Sequence, residues 1–266
     1  MQNKPEISVL LSVHNGQSYI QESIDSIQSQ TYTNWELIII DDGSTDKTSE
    51  ILAQIKDPRI KVVFQKNMGL TKSLNKAAQI AKGDLLARQD ADDISHKDRF
   101  RFQKKLFTNN PNLILVSSYT SWINSYGETL DIREAPKSRL EAINKITNLT
   151  SPYIHGSLMF KKSSFEAVNG YNEKLTTSQD FDLLIRLSVL GKEFSVFPDV
   201  LYNFRIHNDT ITSKKWIKQI KNTMKCANLI NYYYPNSVQF KTRLVFILKK
   251  MIIAYLSMIN PEIIYK

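Results

Sequence analysis

A chain of 266 residues with 42% hydrophobic residues, eight glycines and eight prolines is long enough for one large globular domain and too apolar for a disordered one. Its single cysteine, Cys226, excludes an intrachain disulfide framework and a cysteine-based zinc site, and suits a reducing cytosol. The net charge of +9 is unevenly placed: residues 1–211 carry 25 basic and 25 acidic side chains, whereas 212–266 carry ten basic side chains against the one acid Glu262. That asymmetry predicts a body and a basic tail with different partners.

The first 118 residues alternate β-branched runs with helical patterns. ISVLLSV (7–13), ELIII (36–40), IKVVF (60–64), DLLAR (84–88) and LILVSS (113–118) read as strands, several of them apolar on both faces as buried parallel strands are. Ile20, Ile24 and Ile27 place an amphipathic helix over 17–29, and helices are also predicted over 46–56, 69–81 and 97–109. Asp46 is placed to cap the second of these, which stops at Asp57-Pro58-Arg59. Strand–helix alternation predicts an α/β fold, a mostly parallel central sheet flanked by helices, with ligands beyond the carboxyl ends of the strands. Residues 119–150 read as loop and helix, followed by a strand over 157–160, a helix over 178–190 and a pair of strands within 193–205. No uncharged apolar run of about 18 residues is present, and residues 1–6 lack a basic leader. A cytoplasmic protein is expected.

Two acidic stretches follow strands and should share one mouth: DDGSTD (41–46) and QDADD (89–93). Asp90, Asp92 and Asp93 crowd three carboxylates into four positions, which calls for a cation. Mg²⁺ or Mn²⁺ takes such oxygen ligands and shares them with phosphate oxygens. An EF-hand is excluded, because Ser95 and Arg101 stand where its Gly and Glu belong. A Rossmann G-x-G-x-x-G after the first strand and a P-loop are both missing, which favours a sugar nucleotide over NAD or ATP.

The opening ISVLLSVHNGQSYIQESIDSIQSQTYTNWELIIIDDGSTDKT resembles that of family 2 glycosyltransferases, which have the GT-A fold. The resemblance continues through NMGLTKSLNKA (67–77), AKGDLLARQDADD (81–93), IHGSLMFKK (154–162), VNGYNE (168–173) and SQDFDLLIRL (178–187), and covers about residues 6–211. It implies that Ser12 and Asp42 line a nucleotide base pocket with Asp41 and Asp90 beside it. Asp92 and Asp93 match the DxD region that meets ribose and the metal on the diphosphate. Asp180 matches the general base, with Gln179 where the family usually has Glu. His207 looks like the family's late metal- or diphosphate-binding His, and Arg205 adds positive charge. His155 and Gln179 are candidate acceptor contacts. The resemblance further implies metal-dependent, inverting transfer from a UDP-sugar to a saccharide hydroxyl; lacking a Q-x-x-R-W signature, the chain is expected to add a single sugar. Residues 1–211 would form the GT-A domain, with a nucleotide-binding half over about 1–118 and an acceptor half over about 119–211.

In the tail, a helical projection of 214–227 puts Lys214, Lys218, Lys221 and Lys225 on one face and Trp216, Ile217, Ile220 and Met224 on the other. Residues 243–258 are apolar around most of their circumference, with Lys249 and Lys250 in the middle. Both segments either pack on the body or on a second copy, or anchor the chain to an anionic membrane surface through 214–258, which would suit a lipid-linked acceptor in surface-polysaccharide (O-antigen or capsule) synthesis. Two other readings compete. Nucleic-acid binding through the basic tail lacks interleaved aromatics on the basic face, so no nucleic-acid partner is expected. A sugar nucleotidyltransferase would need a Gly-rich loop after the first strand, and SVHNGQS does not supply one.

Overall fold

Parallel pairing of short, doubly buried strands organises the computed structural model, which describes residues 4–207 and 216–259. The first half runs β1 (Ile7–Val13), α1 (Ile20–Gln28), β2 (Trp35–Asp41), α2 (Thr48–Ala53), β3 (Ile60–Phe64), α3 (Leu70–Ile80), β4 (Leu85–Asp90), β5 (Ile94–Ser95) and α4 (Arg99–Asn109). The second half adds β6 (Leu113–Ile123), β7 (Thr129–Arg133), α5 (Arg139–Thr147), a 3₁₀ turn over His155–Ser157, β8 (Met159–Lys161), α6 (Lys162–Ala167), α7 (Gln179–Ser188) and β9 (Glu193–Arg205). Two helices close the described chain, α8 (Trp216–Tyr233) and α9 (Phe240–Ile259).

The strands make one sheet in the order β3-β2-β1-β4-β8-β6-β9-β5, with β7 paired to β6. The long ladders β1–β2, β1–β4, β2–β3 and β6–β9 are parallel, and short antiparallel β8 splices the two halves through β4 and β6. Side-chain alternation divides the core in two. Leu10, Ile38, Ile40 and Leu86 face a layer containing Leu74, Ala142, Phe181 and Leu184, while Val9, Leu11, Leu37 and Ile39 face Ile20, Ile24 and Phe100. Both faces are covered, which is why β1 is buried along its whole length.

Three differences from the sequence reading have local causes. The expected strand pair within 193–205 is one strand, because a register shift takes Ser118↔Phe197 to Tyr119↔Val200 and lets Pro198 and Asp199 bulge past β6 without breaking it. The 119–150 region contains the hairpin β6–β7 as well as α5, and α6 was not anticipated. The tail is tied to the body by its first helix: Cys226, Ala227 and Ile230 enter the same core as Leu74 and Phe181. The apolar face predicted for 214–227 is only partly the buried one: Met224 packs against the core and Ile220 is half-buried, but the helix is turned so that other residues go deepest. Ile217 is 67% exposed, whereas Asn222 and Thr223 are buried. Lys214 and the 211/212 boundary lie outside the described residues. Among the described residues no helix is long and apolar enough to cross a membrane.

Because Ile230 is fully buried in the shared core, Ile230→Ala should lower stability by about 2–5 kcal/mol in a urea titration. A loss below about 0.5 kcal/mol, typical of surface sites, would mean that α8 is held off the body.

Candidate active site

The carboxyl ends of β1, β2 and β4 lie side by side. Ser12 is the register partner of Ile40 on one side and Asp90 on the other, and Val13 is opposite Asp41. Asp41 and Asp42 are nearly inaccessible, and their carboxylates are committed to the surrounding loops. Asp41 accepts hydrogen bonds from the Ser44 amide at 2.9 Å and from the Ser49 hydroxyl. Asp42 accepts from the Gln65 side chain, the Met68 amide and the Gly69 amide, each at 2.8 Å, and thereby fixes the start of α3. The β1–α1 loop is knitted to the β2–α2 loop by Thr45 N–H to Asn15 Oδ1 at 2.7 Å and Gly16 N–H to Thr48 Oγ1 at 2.9 Å. Asp46, the expected cap, accepts from the Thr48 amide at 3.0 Å.

The three carboxylates after β4 point in different directions. Asp90 pairs with the buried Arg88 guanidinium; burial nonetheless raises its pKa, Asp92 and Asp180 push the same way, and Arg88 opposes them. Asp92 is partly open, and its Oδ2 lies 2.8 Å from His207 Nε2. Asp93 is wholly buried; its oxygens accept from the Tyr202 hydroxyl at 2.8 Å and the Arg205 amide at 2.7 Å. Burial first, then repulsion from Asp92 and Asp90, lifts its pKa well above the carboxylate range. Tyr202 also accepts from the Asp90 amide at 3.1 Å, and fits only because residue 156 is glycine: a Cβ there would overlap the phenol oxygen. Asp93 thus braces β4 against β9, while Asp92 and His207 present a carboxylate and an imidazole at the surface. That donor pair suits a divalent cation completing its shell with phosphate oxygens. Among the described residues no group of three or more His, Cys, Asp or Glu side chains is arranged to hold an ion.

Arg205 is buried rather than free. Its guanidinium pairs with Glu22, donates to the carbonyls of Asp92 at 2.9 Å and Ser125 at 3.1 Å, and lies 4.6 Å over the Tyr19 ring, which in turn leans on His207. Glu22, Tyr19, Tyr202 and Arg88 are members of this site that sequence reasoning missed. Arg88 and Tyr202 lie in strands that read simply as sheet, and Glu22 reads as the polar face of α1.

Asp180 sits in the first turn of α7, half-buried, next to the same cluster. Burial raises its pKa, against the Phe181 and Asp180 amides, Arg88 and Lys250, which favour the ionised form. The carboxylate is therefore more basic than an exposed aspartate while remaining charge-supported. His155 Nε2 lies 2.7 Å from the Tyr171 hydroxyl and is held neutral by burial and by Arg88. Gln179 is buried, and its Oε1 has no hydrogen-bond partner among the described residues. The geometry therefore gathers Asp90, Asp92, Asp180, His155 and His207 around Arg88 and the β4 terminus, with Ser12 and Asp41 at the adjoining ends of β1 and β2 and Asp42 just beyond.

A profile of Glycosyl transferase family 2 matches residues 8–168. The O-antigen biosynthesis glycosyltransferase WbnJ of Escherichia coli is 34% identical over 76% of this chain and 80% of its own length. The putative glycosyltransferase EpsE of Bacillus subtilis is 31% identical over 84% and 81%. Among solved structures, S. aureus TarS 1-349 in complex with UDP-GlcNAc superposes with a TM-score of 0.71 at 19% identity, covering 87% of this chain and 67% of that one.

Tyr202→Phe deletes one hydroxyl and leaves a buried Asp93 oxygen without its donor. Unfolding in urea should show a loss of about 1–3 kcal/mol; an unchanged midpoint would mean that the Asp93–Tyr202 bond adds no net stability.

Proposed function

The chain belongs to glycosyl transferase family 2 and is a glycosyltransferase with the GT-A fold, and on that premise we propose that it moves one sugar from a UDP-sugar to a hydroxyl of a lipid-linked saccharide during surface-polysaccharide synthesis, with inversion at the anomeric carbon. The observation that carries this reading is the convergence on Asp90, at the β4 terminus, of Asp180 in the first turn of α7 and of Asp92, whose carboxylate meets the His207 imidazole at 2.8 Å.

In this reading the nucleotide lies across the ends of β1, β2 and β4, against the loops that Asp41 and Asp42 hold in place. Asp92 and His207 would hold Mn²⁺ or Mg²⁺, which when bound offsets the charge on the departing diphosphate. Asp180 takes the proton of the acceptor hydroxyl as its oxygen bonds to the anomeric carbon. The bond from that carbon to the diphosphate oxygen breaks in the same displacement. General-base help of this kind contributes on the order of 10²–10⁴-fold. The neutral His155 and the unpartnered Gln179 carbonyl offer uncharged hydrogen-bonding groups to the acceptor. The complexes of S. aureus TarS 1-349 with UDP-GlcNAc and with UDP support the uridine assignment.

The membrane half of the proposal rests on α9. Phe240, Leu244, Val245, Leu248, Met251 and Ile252 are all exposed, and Phe240 is 80% so. They fall on one side of the helix, with Lys241 and Lys249, both exposed, along it. An apolar stripe with Lys241 at its N-terminal end and Lys249 beside it matches an anionic lipid surface, each lysine adding about 1 kcal/mol near the headgroups.

Calorimetry with UDP tests the donor site. Mn²⁺ should tighten UDP binding at least about tenfold, or 1.4 kcal/mol, in the unsubstituted chain and not in Asp92→Ala. Asp180→Asn should bind UDP normally yet lose transfer; failure of UDP to bind with or without the ion would overturn the proposal. Flotation with phosphatidylglycerol-containing vesicles should recover the chain, with less recovered at high salt and from Leu248→Glu/Ile252→Glu. Undiminished recovery of that variant would remove α9 as the anchor, and a stable dimer that ignores vesicles would assign the stripe to a second copy.

A further inference from the structure

Asp180 depends on a short turn that strains to make it. Ser178, two residues before it, adopts a left-handed backbone with φ of 57°, unfavourable for a residue with a side chain. Its carbonyl accepts the Asp182 amide at 3.0 Å and so starts α7, with Asp180 in the first turn. The segment leading into this turn is held on one side by α3: the Thr71 hydroxyl donates to the Leu175 carbonyl at 2.7 Å, and the Asn75 side chain bonds both the amide and the carbonyl of Tyr171 at 2.9 Å. On the other side it is held by α8. Asn222 Nδ2 donates to Thr177 Oγ1 at 2.9 Å and to the Thr177 carbonyl at 3.2 Å, and Thr223 Oγ1 lies 3.2 Å from Ser178 Oγ.

Asn222 and Thr223 are 4% and 5% exposed, on a helix that Cys226, Ala227 and Ile230 already anchor by apolar packing. Burying an amide and a hydroxyl costs free energy unless each is hydrogen-bonded, and an apolar pair would have docked the helix without that cost. Among the described residues, every side-chain hydrogen bond of these two goes to the turn at 177–178. We propose that Asn222 and Thr223 are positioning residues for the transfer reaction: α8 clamps the Thr177–Ser178 turn and thereby aims the Asp180 carboxylate at the acceptor hydroxyl. The C-terminal helices are on this account part of the catalytic apparatus, not an appendage that only docks the chain. The inference rests on the reading of Asp180 as the general base.

The test uses the full chain and measures UDP release from UDP-N-acetylglucosamine, UDP-glucose and UDP-galactose, alongside UDP binding and thermal unfolding. Asn222→Ala should lower kcat at least about tenfold, since a displacement of about 1 Å can cost 10²-fold, with UDP affinity unchanged. Thr223→Val, which removes only the hydroxyl, should lower kcat several-fold, and Thr223→Ser should restore it. Asn231→Ala is the control: Asn231 is also on α8, but among the described residues its side chain bonds only Val238, through its amide at 2.8 Å and its carbonyl at 3.0 Å. That variant should lose stability and keep kcat. The clamp is overturned if Asn222→Ala and Thr223→Val fold and keep kcat within about twofold, or lose no more than Asn231→Ala. Asp180→Asn, run in parallel, separates the two claims: if it still turns over, the base assignment itself falls.

Discussion

Three carboxylates packed into four residues at the end of a buried strand constitute the problem around which this molecule is arranged. Left together in a low-dielectric environment they would repel one another and the strand end would not form. The fold separates them by sending each in a different direction. Asp90 meets the guanidinium of Arg88, Asp92 turns outward to His207, and Asp93 goes inward to the Tyr202 hydroxyl and the Arg205 amide. Strand β9 and the residues just after it supply Tyr202, Arg205 and His207, so the second half of the chain is what makes the first half's acidic terminus tolerable.

That arrangement also explains three large cations in the interior. Arg88, Arg99 and Arg205 are all fully or nearly fully buried, and each is held by backbone carbonyls as well as by side chains. Arg99 donates to the carbonyls of Arg88 and Leu158 and to Ser95, with burial holding its pKa down to about 10. Such groups are expensive unless every donor finds a partner, and a buried pair broken on one side costs more than it ever contributed. Here the arginines fix the relative positions of β4, β8 and β9, and Arg88 sets the charge environment of Asp90, Asp180 and His155.

The C-terminal helices have two faces with different duties. The inner face of α8 meets the core and the turn before α7, and Lys250 on the inner side of α9 is close enough to Asp180 to favour its ionised form. The outer stripe of α9 leaves a row of large apolar side chains without a partner among the described residues. In the proposed reading, a helix with an apolar stripe on one side and Lys250 near Asp180 on the other couples the place where a lipid-borne acceptor would arrive to the place where its hydroxyl would react.

Local pattern was enough to set the strand–helix alternation. The runs at 7–13 and 60–64 are strands with the expected ends: the first is buried on both faces and leaves a near-continuous apolar run, and the second is β-branched at Ile60, Val62 and Val63 although it is only partly buried at the sheet edge. It was also enough to place DDGSTD and QDADD at one mouth, since parallel strands must end on the same side. What it did not contain was the direction of any side chain. Nothing in QDADD distinguishes Asp92, which faces out, from Asp93, which is sealed; that depends on Tyr202 and Arg205, more than a hundred residues away. The same holds for the tail. A helical projection ranks faces by hydrophobicity alone, and on α8 the buried face includes Asn222 and Thr223 because the turn at 177–178 offers them hydrogen bonds. Local sequence determined which elements form, through periodicity and propensity, and the tertiary structure alone decided which polar groups are satisfied inside it, because their partners come from distant segments.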